Sequence, residues 1–443
     1  MIDTTTLEKV LHDHLPKQRW FAAGDDPAPA VRVASAKVLK AEWPVLLHVV
    51  AEVAHGGAGA TLYQLLIGLR PPEELEVFLE GKVEAYIGEV ETELGPAHAY
   101  DAVFDPELAI HLLHHIAPGT VAERARVLHV EQSNTSIIYD EKLFLKLFRQ
   151  LSAGGNPDIE VTTALAAAGF TGVAAPLGVW QEDDFDLAVV NEFLAGGSEG
   201  FALALNSLRD LYDRREPPEA CGGDFAPEAR RLGIITARLH LAMAEAFGTT
   251  DPDASAWAAD MVGQLDRLGD VGIDTGAARA VYERLASATH VGRATRIHGD
   301  YHLGQVMRTD AGWFVLDFEG EPNRPVEERR RPSSPLRDVA GMVRSFHYAT
   351  AVAIRDRGDE VVDEELAELA RAWEARNTFA FREGYRAVEG IDALLPSDPI
   401  ACDLVEAAFE LDKAIYEVGY ELSHRPDWVV IPRAAVDRLL EAP

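Results

Sequence analysis

Residues 296–308 read RIHGDYHLGQVMR, and residues 315–322 read VLDFEGEP. The first stretch brings one carboxylate, two imidazoles and an amide into eight positions, His298 to Gln305. That is unusual polarity for a connection between core elements. Gly299 before Asp300 permits a tight loop, since glycine tolerates a positive φ. Gln305 follows five residues after Asp300, and the apolar pair Val315–Leu316 leads into Asp317. The spacing predicts two short strands, each ending on a carboxylate. Taken singly, each motif has a plain alternative: HGD as a simple turn, LDFEG as a strand end with Asp as a cap. A metal-hydrolase reading of His298, Asp300 and His302 would need further ligands at helical spacing, and none follows. No GxSxG, Walker loop or dinucleotide fingerprint is present.

Upstream of this stretch the pattern is mostly strand. VRVASAKVLK (31–40), PVLLHVVAEVAH (44–55) and TLYQLLIGLR (61–70) carry alternating or β-branched apolar positions. A helical spacing covers 105–116. RARVLHVEQS, NTSIIYDE and KLFLKLFRQ then read as a second strand-rich block. GGNPDIEVTTALAAAGF (154–170) is a punctuated helix: Asn156 as cap, Pro157 in the first turn, Asp158 complementing the dipole, Gly169 at the end. After about residue 197 long helical patterns take over, interrupted by the short β insertion around 296–318. Strand-rich first and helical later predicts an α+β chain with separate lobes, not an alternating parallel fold.

Composition agrees with a folded chain. Of 443 residues 47% are hydrophobic, enough for two or three domains with real cores. The 41 basic against 73 acidic residues give a net charge of −32, which disfavours nucleic acid and anionic membranes as partners. Two cysteines, Cys221 and Cys402, make no disulfide framework or metal site. No apolar stretch is long enough to span a membrane and the N-terminus is charged, so the expected location is the cytoplasm.

Phosphoryl transfer from ATP needs a lysine for the phosphates, metal ions to neutralise them and a carboxylate to orient the attacking hydroxyl. Each part has a candidate, in order along the chain. Lys146 lies on the alternating strand KLFLKLFR, and Glu160 on the following helix is its expected ion-pair partner. EQSNTSIIYD (131–140) would form a hairpin over the phosphates, with Ser133, Asn134, Thr135 and Ser136 supplying hydroxyl and backbone donors. Asp300 would take the acceptor's proton. Gln305 and Asp317 would hold Mg²⁺, which favours one or two carboxylates beside phosphate oxygens and water. His302 would touch the sugar or brace the loop.

These segments resemble a known family. EQSNTSIIYD, KLFLKLFR with NPDIEV, HGDYHLGQV, DFEGEP, SPLRDVAGMVRSF, FELDKAIYEVGYE and HRPDWVVIP are similar to the bacterial maltokinases and their relatives among the aminoglycoside-phosphotransferase-like kinases. The resemblance spans nearly the whole chain. It implies a bilobal, protein-kinase-like fold with an N-terminal cap subdomain (1–105), a β-rich ATP-binding part (106–196) and a mainly helical C-terminal lobe (197–443). ATP would lie between the lobes, with adenine near Asn191, Glu192 and Leu194. The chain would act as a monomer on a small sugar.

Within the family the acceptor is maltose, giving maltose 1-phosphate, or glucosamine, giving glucosamine 6-phosphate. Maltokinases tend to carry basic residues after RW(F/Y), where this chain has Asp25 and Asp26. They tend to have Arg before HRP, where it has Ser423, and Leu where it has Tyr301. A protonated amine calls for a carboxylate. The helix FELDKAIYEVGYEL presents Glu410, Asp412, Glu417 and Glu421, with Tyr416 and Tyr420 between them, and Glu410, Glu417 and Glu421 share roughly one face. Such a stripe reads by default as solvent-exposed. The expected substrate contacts are Asp300, Tyr301, His302, Glu410, Asp412, Tyr416, Glu417 and Tyr420, and the departures favour glucosamine, with maltose as the alternative.

Overall fold

The computed structural model describes residues 3–21, 30–55, 59–73, 83–128, 134–269, 271–321, 324–358 and 363–441. Asp25, Asp26 and Ser133 lie outside them. The chain divides into two compact units, Met1–Glu160 with Ala174–Ala195, and Val161–Val173 with Gly196–Pro443. The boundary expected near residue 105 falls inside the first unit.

The first unit runs α1 (Thr4–His14), β1 (Ala30–Lys40), β2 (Val45–His55), β3 (Gly59–Arg70), β4 (Tyr86–Thr92), β5 (Gly95–Asp101), α2 (Pro106–Ile116), β6 (Ala125–Leu128), β7 (Asn134–Tyr139), β8 (Leu143–Phe148) and β9 (Gln150–Leu151). Helix α3 (Pro157–Ala167) starts here and runs into the second unit's segment; β10 (Pro176–Glu182) and β11 (Phe185–Glu192) complete the first. One antiparallel sheet has the order β1-β2-β3-β5-β4 with β9 added on β3, and a second has β10-β11-β8-β7-β6.

Side-chain alternation explains how one sheet serves two cores. Val45, Leu47 and Val49 of β2 pack with Leu7, Leu11, Leu15 and Trp20. Leu46 and Leu66 face the other way, against Leu108 and Leu112 of α2 and Leu145 and Leu147 of β8. Fully buried Gln64 ties the two sheets: its backbone N–H donates to the Arg149 carbonyl (2.8 Å) and its amide to the Phe148 carbonyl (2.6 Å). A buried amide is tolerated because the backbone supplies acceptors for its N–H groups.

The second unit contains β12 (Ser198–Glu199), α4 (Gly200–Arg214), α5 (Ala226–Phe247), β13 (Thr249–Thr250), α6 (Ala254–Leu268), α7 (Thr275–Ser287) and β14 (Ala294–Thr295). It continues with β15 (Val306–Thr309), β16 (Gly312–Val315), α8 (Val326–Arg329), α9 (Leu336–Arg357), α10 (Glu364–Arg386), α11 (Pro399–His424) and α12 (Val430–Glu441). Helices α5 and α10 cross almost backbone to backbone. A Cβ at Gly233 would lie 2.0 Å from the Phe381 carbonyl oxygen, and one at Gly384 2.0 Å from that of Arg230. Any side chain there would force the helices apart. The expected β insertion is present as β14 and the β15–β16 hairpin, and no helix among the described residues is long and apolar enough to cross a membrane.

Candidate active site

In the first unit Lys146 occupies the middle strand, opposite Ser136 of β7 and Val189 of β11. It is 7% exposed, with Nζ 3.5 Å from Asp158 Oδ2. Asn156 caps α3 as its sequence predicts, Oδ1 accepting from the Asp158 N–H at 2.8 Å. The cap starts the helix where Asp158 falls in the first turn, and a carboxylate is favoured there by the helix dipole. The sequence expectation put Glu160 against Lys146; the structure puts Asp158 there and leaves Glu160 exposed.

Hairpin β6–β7 is formed, but Asn134, Thr135 and Ser136 lie within strand β7. Thr135 corrects the expectation. Its side chain is on the face opposite Lys146, where Oγ1 accepts from Arg149 Nε at 2.7 Å. Ser136 shares the Lys146 face, and its buried Oγ has no partner among the described residues. Along β11, Asn191 keeps an unpartnered buried Oδ1, Glu192 is exposed and Leu194 half-buried.

In the second unit the HGD loop is braced from below. Asp338, on α9, accepts from the N–H groups of His298 (2.8 Å) and Gly299 (2.9 Å), and its carboxylate lies 3.1 Å from His240 Nε2. Burial pushes the Asp338 carboxyl up, but His240 and these donors hold it below its ordinary value. Gly299 adopts φ +84°, the conformation for which a glycine was expected. His298 accepts the Asp300 N–H at Nδ1 (3.3 Å), which makes Nε2 the donor to the Leu316 carbonyl (2.9 Å). The Leu316 N–H in turn donates to the Gln305 carbonyl at 2.9 Å. One imidazole therefore ties the Asp300 loop to the segment that carries Asp317. This answers why histidine stands before glycine in that stretch.

Gln305 Nε2 reaches Asp317 Oδ2 at 3.3 Å, so these two do come together. Asp317 does not end the strand as expected. It lies two residues beyond β16 in a left-handed conformation, φ +59°, which Asp adopts more readily than most residues. A carboxylate and an amide oxygen make a hard, all-oxygen donor set, which suits Mg²⁺.

Asp300 has a partner that sequence reasoning missed. Lys413 Nζ, on α11, donates to Asp300 Oδ1 (2.8 Å) and to Glu321 Oε1 (2.9 Å), and sits 4.7 Å from the centre of the Tyr416 ring. Glu321 is also held by Arg324 and Arg337, and Arg324 faces Asp412 at 3.7 Å. Three cations thus balance three carboxylates, Glu321 and Asp412 buried and Asp300 part-buried. Burial alone would raise the Asp300 carboxyl; Lys413, with help from His302, holds it below its ordinary value. Burial likewise lowers His302. Its Nδ1 accepts the Gly304 N–H at 3.0 Å, and its Nε2 is 4.0 Å from Asp300 Oδ2, too long for a hydrogen bond.

A cavity of about 460 Å³ opens beside Asp300. Tyr348, Tyr416, Tyr420 and Trp428 give it aromatic walls; Glu199, Lys413, Glu417, Glu421 and Arg425 give it charge, and His302 an imidazole. Tyr416 and Tyr420 stack with centroids 6.5 Å apart, and Tyr348 stacks on Trp428 at 6.4 Å. Of the expected substrate contacts, Asp300, His302, Tyr416, Glu417 and Tyr420 line this cavity.

Three expected contacts do not. Tyr301 is 2% exposed in the core, its hydroxyl 2.8 Å from Thr236 Oγ1. Glu410 lies on a separate cleft with Arg382 and Glu406. Asp412 is buried, accepting from Gln264 Nε2 at 2.8 Å. Nor is the acidic stripe of α11 solvated: Glu410 is 8% and Glu421 2% exposed. Helix α11 packs against α6, α7, α9 and α12 and has no fully exposed face for a stripe. Ser423, the other departure, is exposed and bonds the Gly419 carbonyl at 3.0 Å.

The fold and these groups describe a kinase. The maltokinase N-terminal cap domain matches residues 14–105, and the phosphotransferase enzyme family matches residues 124–391. The chain belongs to that phosphotransferase family and carries that cap. A glucosamine kinase of Mycolicibacterium smegmatis is 28% identical over 334 residues, covering 72% of this chain and 80% of its own. One of Streptacidiphilus jiangxiensis is 29% identical over 332 residues, covering 71% and 73%. A glucosamine kinase crystal structure (form B) shares the fold with a TM-score of 0.70 at 24% identity, over 98% of this chain and 99% of that one. A glucosamine kinase in complex with glucosamine, ADP and inorganic phosphate does so at 0.67 and 23%, over 99% and 100%. The protein is a phosphotransferase related to glucosamine kinases.

Proposed function

We propose that the chain transfers the γ-phosphoryl group of ATP to the 6-hydroxyl of glucosamine, with Asp300 as the base. The observation that carries this reading is the state of Asp300. It sits on the wall of a sugar-sized aromatic cavity, ionised and oriented by Lys413 through Oδ1, leaving Oδ2 for an acceptor hydroxyl. As the new oxygen–phosphorus bond forms and the bond to the ADP oxygen breaks, the hydroxyl proton passes to Oδ2 and ADP leaves. Lys146 would hold phosphate oxygens, with Glu160, Asn134 and Ser136 nearby in sequence or strand register, and Asn191 to Leu194 would meet the adenine. Gln305 and Asp317 would hold Mg²⁺, which when bound neutralises phosphate charge. The relatives named as glucosamine kinases support the acceptor. The maltokinase-type cap favours a second reading, maltose to maltose 1-phosphate.

Product formation with glucosamine, glucose, N-acetylglucosamine and maltose, read by phosphorus NMR, separates the two. Glucosamine is expected fastest, giving the 6-phosphate; maltose fastest, with phosphate on the anomeric oxygen, would reverse the assignment. Asp300→Asn is expected to lower turnover about 10³-fold while nucleotide still raises Tm. Near-normal turnover would remove Asp300 as the base.

A further inference from the structure

Four carboxylates line the Asp300 cavity, and three are matched by cations. Lys413 holds Asp300 at 2.8 Å, buried Arg344 holds Glu417 at 2.6 Å, and Arg425 holds Glu421 at 2.6 Å with the Tyr348 hydroxyl. Lys413 is moreover shared with Glu321. The fourth is Glu199, which makes no hydrogen bond or ion pair through its carboxylate among the described residues.

The position of Glu199 is built. Its backbone pairs with Met307 in the β12–β15 ladder, so it is anchored to the strand that follows the Asp300 loop. It stands at the N-cap of the 15-residue helix α4, yet its side chain does not cap that helix. Instead Oε1 lies beside the His302–Gly304 turn, 3.3 Å from where a Cβ on Gly304 would fall. Glu199 is exposed as a residue, and the protein on its cavity side displaces enough water to raise its carboxyl above the ordinary value, the condition a neighbouring cation reverses. Of the acids of α11 expected to meet an amine, Glu417 and Glu421 are already committed to Arg344 and Arg425, and Glu410 and Asp412 do not line this cavity.

We infer that Glu199 recognises the ammonium group of a 2-amino sugar, supplying the charge match that a neutral sugar cannot make. This rests on the glucosamine reading above. An ammonium would give Glu199 the charge-assisted hydrogen bond it lacks, and glucose would leave the carboxylate unmatched.

Steady-state kinetics of Glu199→Gln and Glu199→Asp against the parent test this. In Glu199→Gln the KM for glucosamine should rise about 10- to 100-fold with the KM for ATP unmoved. The preference for glucosamine over glucose should shrink by the same factor, and Glu199→Asp should recover part of it. An unchanged KM for glucosamine overturns the inference. So does a rise confined to the KM for ATP, which would make Glu199 a nucleotide contact. A parent enzyme that turns over maltose and not glucosamine overturns the acceptor reading itself, and does so before any variant is made.

Discussion

Among the described residues each unit has a lysine–aspartate pair, buried in the first and part-buried in the second, and the two are built differently. In the first unit, Lys146 and Asp158 stand 3.5 Å apart, twelve residues from one another, on a strand and the helix that follows it. In the second, Lys413 and Asp300 meet at 2.8 Å across 113 residues, with Glu321 as a second acceptor at 2.9 Å. In the function proposed above, the lysine of the first pair is the group offered to substrate and the carboxylate holds it. In the second pair the proposed roles reverse: the aspartate is offered and the lysine holds it. The difference teaches how a charged site is kept both buried and reactive. A short, doubly bonded lysine fixes a carboxylate in a single orientation and favours its ionised form.

Removing Lys413 is the sharpest way to break this comparison. Lys413→Met leaves Asp300 and Glu321 buried with one cation fewer, which should cost about 3–5 kcal/mol of stability. Its functional signature is separate. The parent's Asp300 carboxyl is held low, so Asp300, the proposed base, stays ionised as pH falls into the ordinary carboxylate range. Without Lys413, burial acts alone and raises that carboxyl, so the acid limb of kcat/KM should move to higher pH. Turnover at pH 7 should fall about 10²-fold and recover in part as pH rises. Lys413→Arg should keep the limb near the parent's position. A pH profile of Lys413→Met that is lowered but not displaced would reduce Lys413 to a structural tie.

A smaller effect is expected on the other side. Lys146→Met should lower kcat/KM for ATP about 10- to 100-fold, with little change in the KM for the sugar. If the KM for the sugar moved instead, the two pairs would not divide nucleotide from acceptor as proposed above.

What the sequence disclosed follows the same division. Short-range features were legible: the alternating strands, the Asn156 cap, Lys146 on its strand, Gly299 before Asp300, and the approach of Gln305 to Asp317. Each depends on neighbours within about one element, where periodicity and backbone sterics decide. The partner of Asp300 and the brace beneath its loop were not legible, because Lys413 and Asp338 lie in distant helices and nothing local marks them as facing a loop. The α11 acids failed for a related reason. Helical spacing shows that Glu410, Glu417 and Glu421 share a face, but not that neighbouring helices enclose it. A usable signal was present in the alternation of Lys413, Glu417 and Glu421 on one helix, since a lysine among buried acids needs an anionic partner elsewhere.

The mildest test concerns Asp412, the residue before Lys413 and the least well matched acid of that network. Burial pushes its carboxyl up to about 6, with Arg324 at 3.7 Å the main opposing influence. A carboxyl raised on folding takes up its proton more readily in the native state than in the unfolded chain, where it titrates near ~4. Its ionisation therefore weakens the fold as pH rises from about 4 to about 6, and the loss is complete above that. Asp412→Asn keeps an oxygen for the Gln264 donor and never ionises. It should match the parent near pH 4 and exceed it by about 3 kcal/mol at pH 8, as read by denaturant unfolding at both pH values. A variant less stable than the parent at pH 8 would mean that the Arg324 contact outweighs burial. The Lys413 network would then be balanced charge for charge, with Asp412 as necessary to it as Glu321.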